Sequence, residues 1–265
     1  MSETNEKHTK KKLSRSGKFI INLILVVSLC VAAFSGYKLV TGLIGYKQAD
    51  QKYETLQTEA KLPQATSTTT VKQSGIDWEY LKSQNANVAA WITLPDSVID
   101  YPVTYAEDNS YYLTHLFDGT ENYAGCVFVD CNNAHGFTDK NTVMYAHYMS
   151  NGEGRMFTAL NNYADQSYYD THKYLVIDTP TALYHMEVAA GIETTGTGGY
   201  IQLSFATPAD FTGYVKSFTD NSTFKSDTTI TENDQIITLS TCSPKNLDGR
   251  YALIGKLVKI EDYDK

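Results

Sequence analysis

Ile236-Ile237-Thr238-Leu239-Ser240-Thr241-Cys242 runs into the polar loop SPKNLDG (243–249) and out again along RYALIGKLVKI (250–260). Both flanks are short and rich in Ile, Thr, Leu and Val, with turn residues between them, so they read as two strands. On the first, side-chain alternation puts Ile237, Leu239 and Thr241 on one face and Thr238, Ser240 and Cys242 on the other. Cys242 therefore ends a strand as a thiol among polar neighbours, where solvent can reach it. Position alone fits a packed structural cysteine equally well, since a free Cys behaves as a small hydrophobe. Arg250 opens the second strand, and if the two strands are neighbours its guanidinium sits beside the thiol.

The same pattern recurs through the body. Val88 to Leu94, Ile99 to Tyr105, Cys126 to Asp130, Thr142 to His147, Tyr174 to Asp178, Ala182 to Glu193, Gln235 to Cys242 and Tyr251 to Ile260 are short runs bounded by Gly, Asn, Asp or Pro. Eight strands with few long helices predict a mainly β body, either a closed barrel or a sandwich. Four helices are expected around it. Residues 41 to 62 form one, stopped by Pro63, and a polar linker (64–75) follows. A short one begins at Asp77-Trp78. Met156 to Tyr163 has apolar residues at helical spacing. Pro208 to Phe218 follows Thr207 as N-cap with Pro at the first helical position, and its stripe of Phe211, Tyr214, Val215 and Phe218 is core packing.

At the other end, FIINLILVVSLCVAAF (19–34) carries no charge, and the uncharged stretch continues to Tyr37. That is just long enough to span a bilayer as a helix, which takes ~20 residues. Lys7, Lys10, Lys11, Lys12, Arg15 and Lys18 precede it, so the N-terminus is expected on the cytoplasmic side and the body outside. Ala33-Phe34-Ser35 offers a signal-peptidase site as the competing reading. The length of the apolar run favours the uncleaved anchor, and both readings export the body.

The net charge of -8 hides this basic tail: the rest of the chain holds 16 basic and 28 acidic residues. Such an acidic body argues against phosphate-backbone binding, so no nucleic-acid partner is expected. Cys30, Cys126, Cys131 and Cys242 contain no C-x-x-C pair, which leaves zinc knuckles and thioredoxin-like chemistry unsupported. Cys126 and Cys131 fall on opposite faces of GCVFVDC if it is a strand, and could be bridged only if the chain turned there. Of the histidines, His8 lies in the basic tail and His185 in mid-strand. His115, His135 and His172 are scattered, with no metal-ligand spacing. His147 ends the strand Thr142–Ala146 just before the loop YMSNGEG (148–154). Arg155 and Arg250 are the only arginines of the body. Brought together, Cys242, His147 and Arg250 would perform acyl transfer: the thiolate attacks a peptide carbonyl, the imidazole protonates the leaving amine, and the guanidinium stabilises the tetrahedral oxygen.

These pieces carry a family resemblance. TLSTCS followed by an Arg that opens a strand resembles the catalytic signature of sortases, and NTVMYAHYM (141–149) resembles their histidine motif. IDYPVTYAEDNSYYLTHLFDG (99–119), GCVFVD (125–130), MFTALNNYAD (156–165) and the helix near 208–218 resemble the class B branch. The resemblance runs from about Trp78 to Ile260. It implies an eight-stranded sortase-type β-barrel with N-terminal helices and an extra helix before the penultimate strand. With the N-terminal reading above, the chain is expected to divide into a cytoplasmic tail (1–18), a transmembrane signal-anchor (19–37), an extracellular helix and linker (38–75) and a catalytic domain (76–265).

The implied reaction is two-step transpeptidation. A sorting motif near the C-terminus of a secreted protein is cleaved to a thioester on Cys242, which an amine of peptidoglycan or its lipid-linked precursor then resolves. Catalysis would fall to Cys242, His147 and Arg250, with Ser240 and Thr241 lining the substrate groove, and neither cofactor nor metal is expected. Two positions depart from the family pattern: Ala146 stands where Gly usually precedes the histidine, and Pro244 where some class B members carry an acid. Asp248 is given no role. The same residues could serve a cysteine hydrolase, and a structural Cys242 would instead leave a surface adhesion module.

Overall fold

The computed structural model describes residues 15–62, 73–149, 154–245 and 247–264. The expected tail before residue 15, Pro63 and most of the linker, and the loop after Met149 lie outside the described residues. The chain forms two compact units, Met1–Gly45 and Tyr46–Lys265.

The predicted anchor and the predicted helix 41–62 are one helix, α1 (Arg15–Ala60). Nothing between them breaks it: Gly36 and Gly42 sit inside, each weakening the helix by only ~1 kcal/mol relative to alanine. Its first half is long and apolar enough to cross a membrane, with Phe19 through Ile44 exposing their apolar side chains. The second half is amphipathic. Ala49, Tyr53, Leu56 and Ala60 recur at spacings of four and three and are buried, which is the signature of a helix with one packed face. Lys52 pairs with Asp118 and Arg155 forks onto Asp50 on either side of that face. The short helix expected next forms as α2 (Trp78–Gln84), capped by Asp77, whose carboxylate accepts from the Tyr80 N–H.

The body is a closed barrel of eight strands with a small ribbon beside it. In chain order the strands are β1 (Val88–Thr93), β2 (Asp100–Tyr105), β3 (Val127–Val129), β4 (Asn141–Tyr145), β5 (Tyr148–Met149), β6 (Arg155–Met156), β7 (Tyr174–Asp178), β8 (Ala182–Thr195), β9 (Ile236–Cys242) and β10 (Gly249–Asp262). The order around the barrel is β1-β2-β3-β4-β9-β10-β8-β7, with β7 closing on β1. Neighbours are antiparallel except β2–β3 and β4–β9, which are parallel. The fold is the expected eight-stranded barrel, and closure settles the choice left open between barrel and sandwich.

The two-residue strands β5 and β6 pair as the separate ribbon, which the sequence reading did not anticipate. Met156 belongs to this ribbon, with φ of +51°, so the helix expected from Met156 to Tyr163 does not form as such. A 310 helix spans Thr158–Ala164 in its place, and α3 (Gln166–Thr171) follows. Thr158 is the local cause: its hydroxyl donates back to the Arg155 carbonyl at 2.6 Å and accepts from the Met149 N–H at 2.7 Å, holding the chain in a turn.

The expected helix before the penultimate strand is α4 (Pro208–Asp220), and Thr207 and Asp210 form a reciprocal capping box at its start. Its stripe of Phe211, Tyr214, Val215 and Phe218 is buried against Ala190, Ile236, Ala252 and Ile254, each large side chain contributing on the order of 1.5–3 kcal/mol. This packing defines the outer face of β9 and β10. Ile237 and Leu239 belong to the other, larger core with Tyr251 and Leu253. By alternation Cys242 shares the outer face with Ile236.

Candidate active site

β9 and β10 pair in a register that sets Arg250 directly opposite Cys242. Opposed residues of an antiparallel pair point to the same face with Cα atoms about 4.5–5.5 Å apart. The Ser243 N–H donates to the Gly249 carbonyl at 2.9 Å, which continues the ladder one residue past Cys242. The short connection between β9 and β10 thus sets Arg250 and Cys242 opposite each other without any long-range docking.

His147 arrives from the other side of β9. Strand β4 runs parallel to β9 with Tyr145 level with Ser240, and the Ala146 N–H extends the ladder to the Ser240 carbonyl at 3.3 Å. Carrying that register two residues further brings His147 level with Cys242, on a strand about 4.8 Å away. Cys242, His147, Arg250, Ser240 and Thr241 all border one cleft of ≈ 370 Å³. The five sequence-derived residues therefore meet, and Cys242 is the exposed free thiol among them.

The imidazole is held by one strong contact. His147 Nε2 lies 2.7 Å from the Leu113 carbonyl oxygen. A carbonyl can only accept, so Nε2 carries a proton in this contact and Nδ1 is the nitrogen left to exchange one. Gly125, at φ of +66°, backs the ring: a Cβ there would stand 3.0 Å from His147 Cδ2 and 2.6 Å from the Tyr112 carbonyl oxygen. Arg250 bonds the Gly249 carbonyl at 3.0 Å and lies 3.6 Å from the exposed carboxylate of Asp248. Gly196 makes room on its far side, since a Cβ there would sit 3.3 Å from Arg250 Nη2. The Cys242 carbonyl accepts from Asn161 Nδ2 at 3.1 Å.

Ser240 and Thr241 differ in what they offer. The Ser240 hydroxyl is bonded to the Tyr200 hydroxyl at 2.7 Å. Thr241, on the opposite parity of the strand, turns Oγ1 into a buried position with no hydrogen-bond partner. Ala146, where a glycine is usual, has its methyl packed in the core and borders the cleft.

Asn109, Leu113, Tyr145, Tyr200 and Ile201 also line the cleft and were not singled out from the sequence. Tyr145 had a signal: it lies two residues before His147 and so shares its face. Asn109, Tyr200 and Ile201 come from loops, where no periodicity points. Burial and the neighbouring Asp130 carboxylate push the Tyr145 phenol upward, which keeps it a hydrogen-bond donor.

The remaining sulfurs and imidazoles are placed for other work. Cys126 is buried and burial pushes its thiol up to about 12, the reverse of what a nucleophile needs. Cys126 and Cys131 are both free. His115, His135, His172 and His185 each stack on a tyrosine ring. Among the described residues no three His, Cys, Asp or Glu side chains gather as metal ligands.

No protein-family model matches the chain. Individual proteins do. It is 32% identical over 246 residues to the sortase B of Listeria monocytogenes, a match covering 91% of this chain and 97% of the relative. A Staphylococcus aureus sortase B–substrate complex superposes with a TM-score of 0.74 at 28% identity, covering 82% of this chain and all of that one. A sortase B complexed with triglycine gives a TM-score of 0.69 at 28% identity, covering 81% of this chain and 99% of that one. With the expected barrel and with this extent of similarity to curated relatives, the chain belongs to the sortase B family of cysteine transpeptidases.

Proposed function

We propose that the protein is a membrane-anchored transpeptidase that joins secreted proteins bearing a C-terminal sorting motif to an amine of peptidoglycan or its lipid-linked precursor. The observation that carries this reading is that Cys242 and Arg250 border one open cleft with His147, which lies far from both in sequence. His147 Nδ1 takes the Cys242 thiol proton, and the thiolate so formed attacks the scissile carbonyl of the sorting motif, forming a C–S bond and an oxyanion that the Arg250 guanidinium stabilises. Collapse breaks the C–N bond, and the leaving amine takes its proton from His147 Nδ1. The acceptor amine then attacks the thioester, its proton passes to the imidazole, and the thiolate leaves. Ser240 stands in the groove wall with its hydroxyl tied to Tyr200, and Thr241 backs the strand end.

The first half of α1 acts as the anchor, with the basic tail in the cytoplasm and the barrel outside, so that the cleft faces exported substrates. A solved relative is a substrate complex and another carries triglycine, which supports a peptide donor and a glycine-type amine acceptor. The test is a peptide-library cleavage screen with the full-length chain in detergent micelles, read by mass spectrometry with and without triglycine. Cleavage with a triglycine-adduct product is expected. Release of free acid alone, unchanged by triglycine, would make the enzyme a hydrolase, and no cleavage at all would defeat the reading.

A further inference from the structure

Asp130 follows β3 and is 5% exposed, yet among the described residues no Lys, Arg or His pairs with it. Burying a carboxylate without a counter-ion is unfavourable unless hydrogen bonds replace its water. Here they do. Oδ2 accepts from the Tyr145 hydroxyl at 2.7 Å and from Asn109 Nδ2 at 2.9 Å. Oδ1 accepts from the Asn132 N–H at 2.9 Å and from Asn132 Nδ2 at 3.0 Å. Four donors converge on two oxygens, and two of those donors, Tyr145 and Asn109, line the cleft beside His147.

We propose that Asp130 is a positioning residue for the transpeptidation: the buried carboxylate that fixes the Tyr145 phenol and the Asn109 amide in the cleft wall. The proposal rests on the reading of this cleft as the active site. The direction of the Asn109 amide is settled independently, because its Oδ1 accepts from the Cys131 N–H at 2.9 Å. Its Nδ2 must therefore face Asp130. One Nδ2 proton is spent there, and the second is left for a carbonyl of an extended peptide in the cleft.

A carboxylate is required at position 130 for a simple reason. An amide turned so that its oxygen meets Tyr145 and Asn109 would put its NH2 against the two Asn132 donors. Turned the other way, it would put NH2 against the two cleft donors. Only an acceptor at both atoms satisfies all four. Tyr145 and Asn109 meet the substrate before and during the reaction alike, so loosening them weakens binding rather than the chemical step.

The experiment is steady-state kinetics of Asp130→Asn in the full-length chain, with the most rapidly cleaved peptide of the library screen as probe. KM is expected to rise about tenfold with kcat within about threefold of wild type, the pattern of lost uniform binding. Asn109→Ala, at an exposed position, should raise KM as well, and Asp130→Asn/Asn109→Ala should be no worse than Asp130→Asn. A KM for Asp130→Asn within twofold of wild type overturns the proposal, as does a double variant whose losses multiply. If Asp130→Asn does not fold, Asn109→Ala decides: a raised KM upholds the proposal and an unchanged one overturns it. Turnover by Cys242→Ala would be a different failure, that of the active-site reading itself.

Discussion

Gly125→Ala adds one methyl group behind the His147 imidazole. Gly125 sits at φ of +66°, where an alanine is disfavoured by roughly 1–2 kcal/mol. Its Cβ would also meet the Tyr112 carbonyl oxygen at 2.6 Å and His147 Cδ2 at 3.0 Å. The Tyr112 carbonyl cannot retreat freely, because it accepts the Cys126 N–H at 2.9 Å. Relief has to come partly from the imidazole, and overpacking of this kind costs about 1–3 kcal/mol. The sum, about 2–5 kcal/mol, corresponds to a fall in Tm of roughly 4–20 °C for a body of this size.

The kinetic effect is the sharper one. A ring displaced by a few tenths of an ångström loosens the 2.7 Å bond from Nε2 to Leu113 and changes where Nδ1 points in the cleft. Misplacement of a reacting group by 1 Å can cost about a hundredfold, so a loss of roughly ten- to a hundredfold in kcat is expected. Scanning fluorimetry gives the first number and peptide turnover the second. A lowered Tm with unchanged kcat would refute the claim that Gly125 seats His147. An unchanged Tm would refute the packing itself.

Other perturbations follow from named contacts. Arg250→Ala should lower kcat/KM by about a hundredfold or more at nearly constant Tm, the loss expected when an oxyanion-side donor is removed; turnover near wild type would take Arg250 out of the site. Iodoacetamide mapping of the native protein should label Cys242 and spare Cys126, since the first is exposed and the second buried; a Cys242 that resists until the protein unfolds would favour a structural thiol. Asp178 is held above the ordinary carboxylate range, chiefly by burial, while Tyr263 and Ser74 donate to it and partly offset the rise. The folded state keeps that proton longer than the unfolded chain, so this group's contribution is fully present below the ordinary value near pH 3.9 and is lost as pH rises through the elevated one. Asp178→Asn should flatten that part of the stability profile, measured by urea unfolding from about pH 3.5 to 7; an identical slope in both proteins would contradict it.

The barrel was legible because its strands alternate. All eight expected strands form, and the parity of Ser240 and Cys242 against Leu239 correctly divides the outer face of β9 from the core. What escaped was set by single hydrogen bonds rather than by periodicity. The two-residue ribbon β5–β6 is too short to leave a pattern, and the Thr158 hydroxyl turns an apparent helix into a 310 segment. Helix α1 was split on paper because its character changes near residue 38, yet no residue there interrupts helical hydrogen bonding. The strand-end residues that border the cleft could be picked out because strands declare their ends. Asn109 and Tyr200 were missed because each reaches the cleft from a loop, and their partners Asp130 and Ser240 are distant in sequence.

The account stands on an acyl group carried by one sulfur. Full-length protein mixed with the best-cleaved peptide, quenched in acid and mapped by mass spectrometry, measures this directly. The account predicts the mass of the N-terminal peptide fragment on the segment containing Cys242, discharged by triglycine and absent from Cys242→Ala. An adduct on Cys126 or Cys131, or peptide turnover that survives loss of the Cys242 thiol, would contradict it.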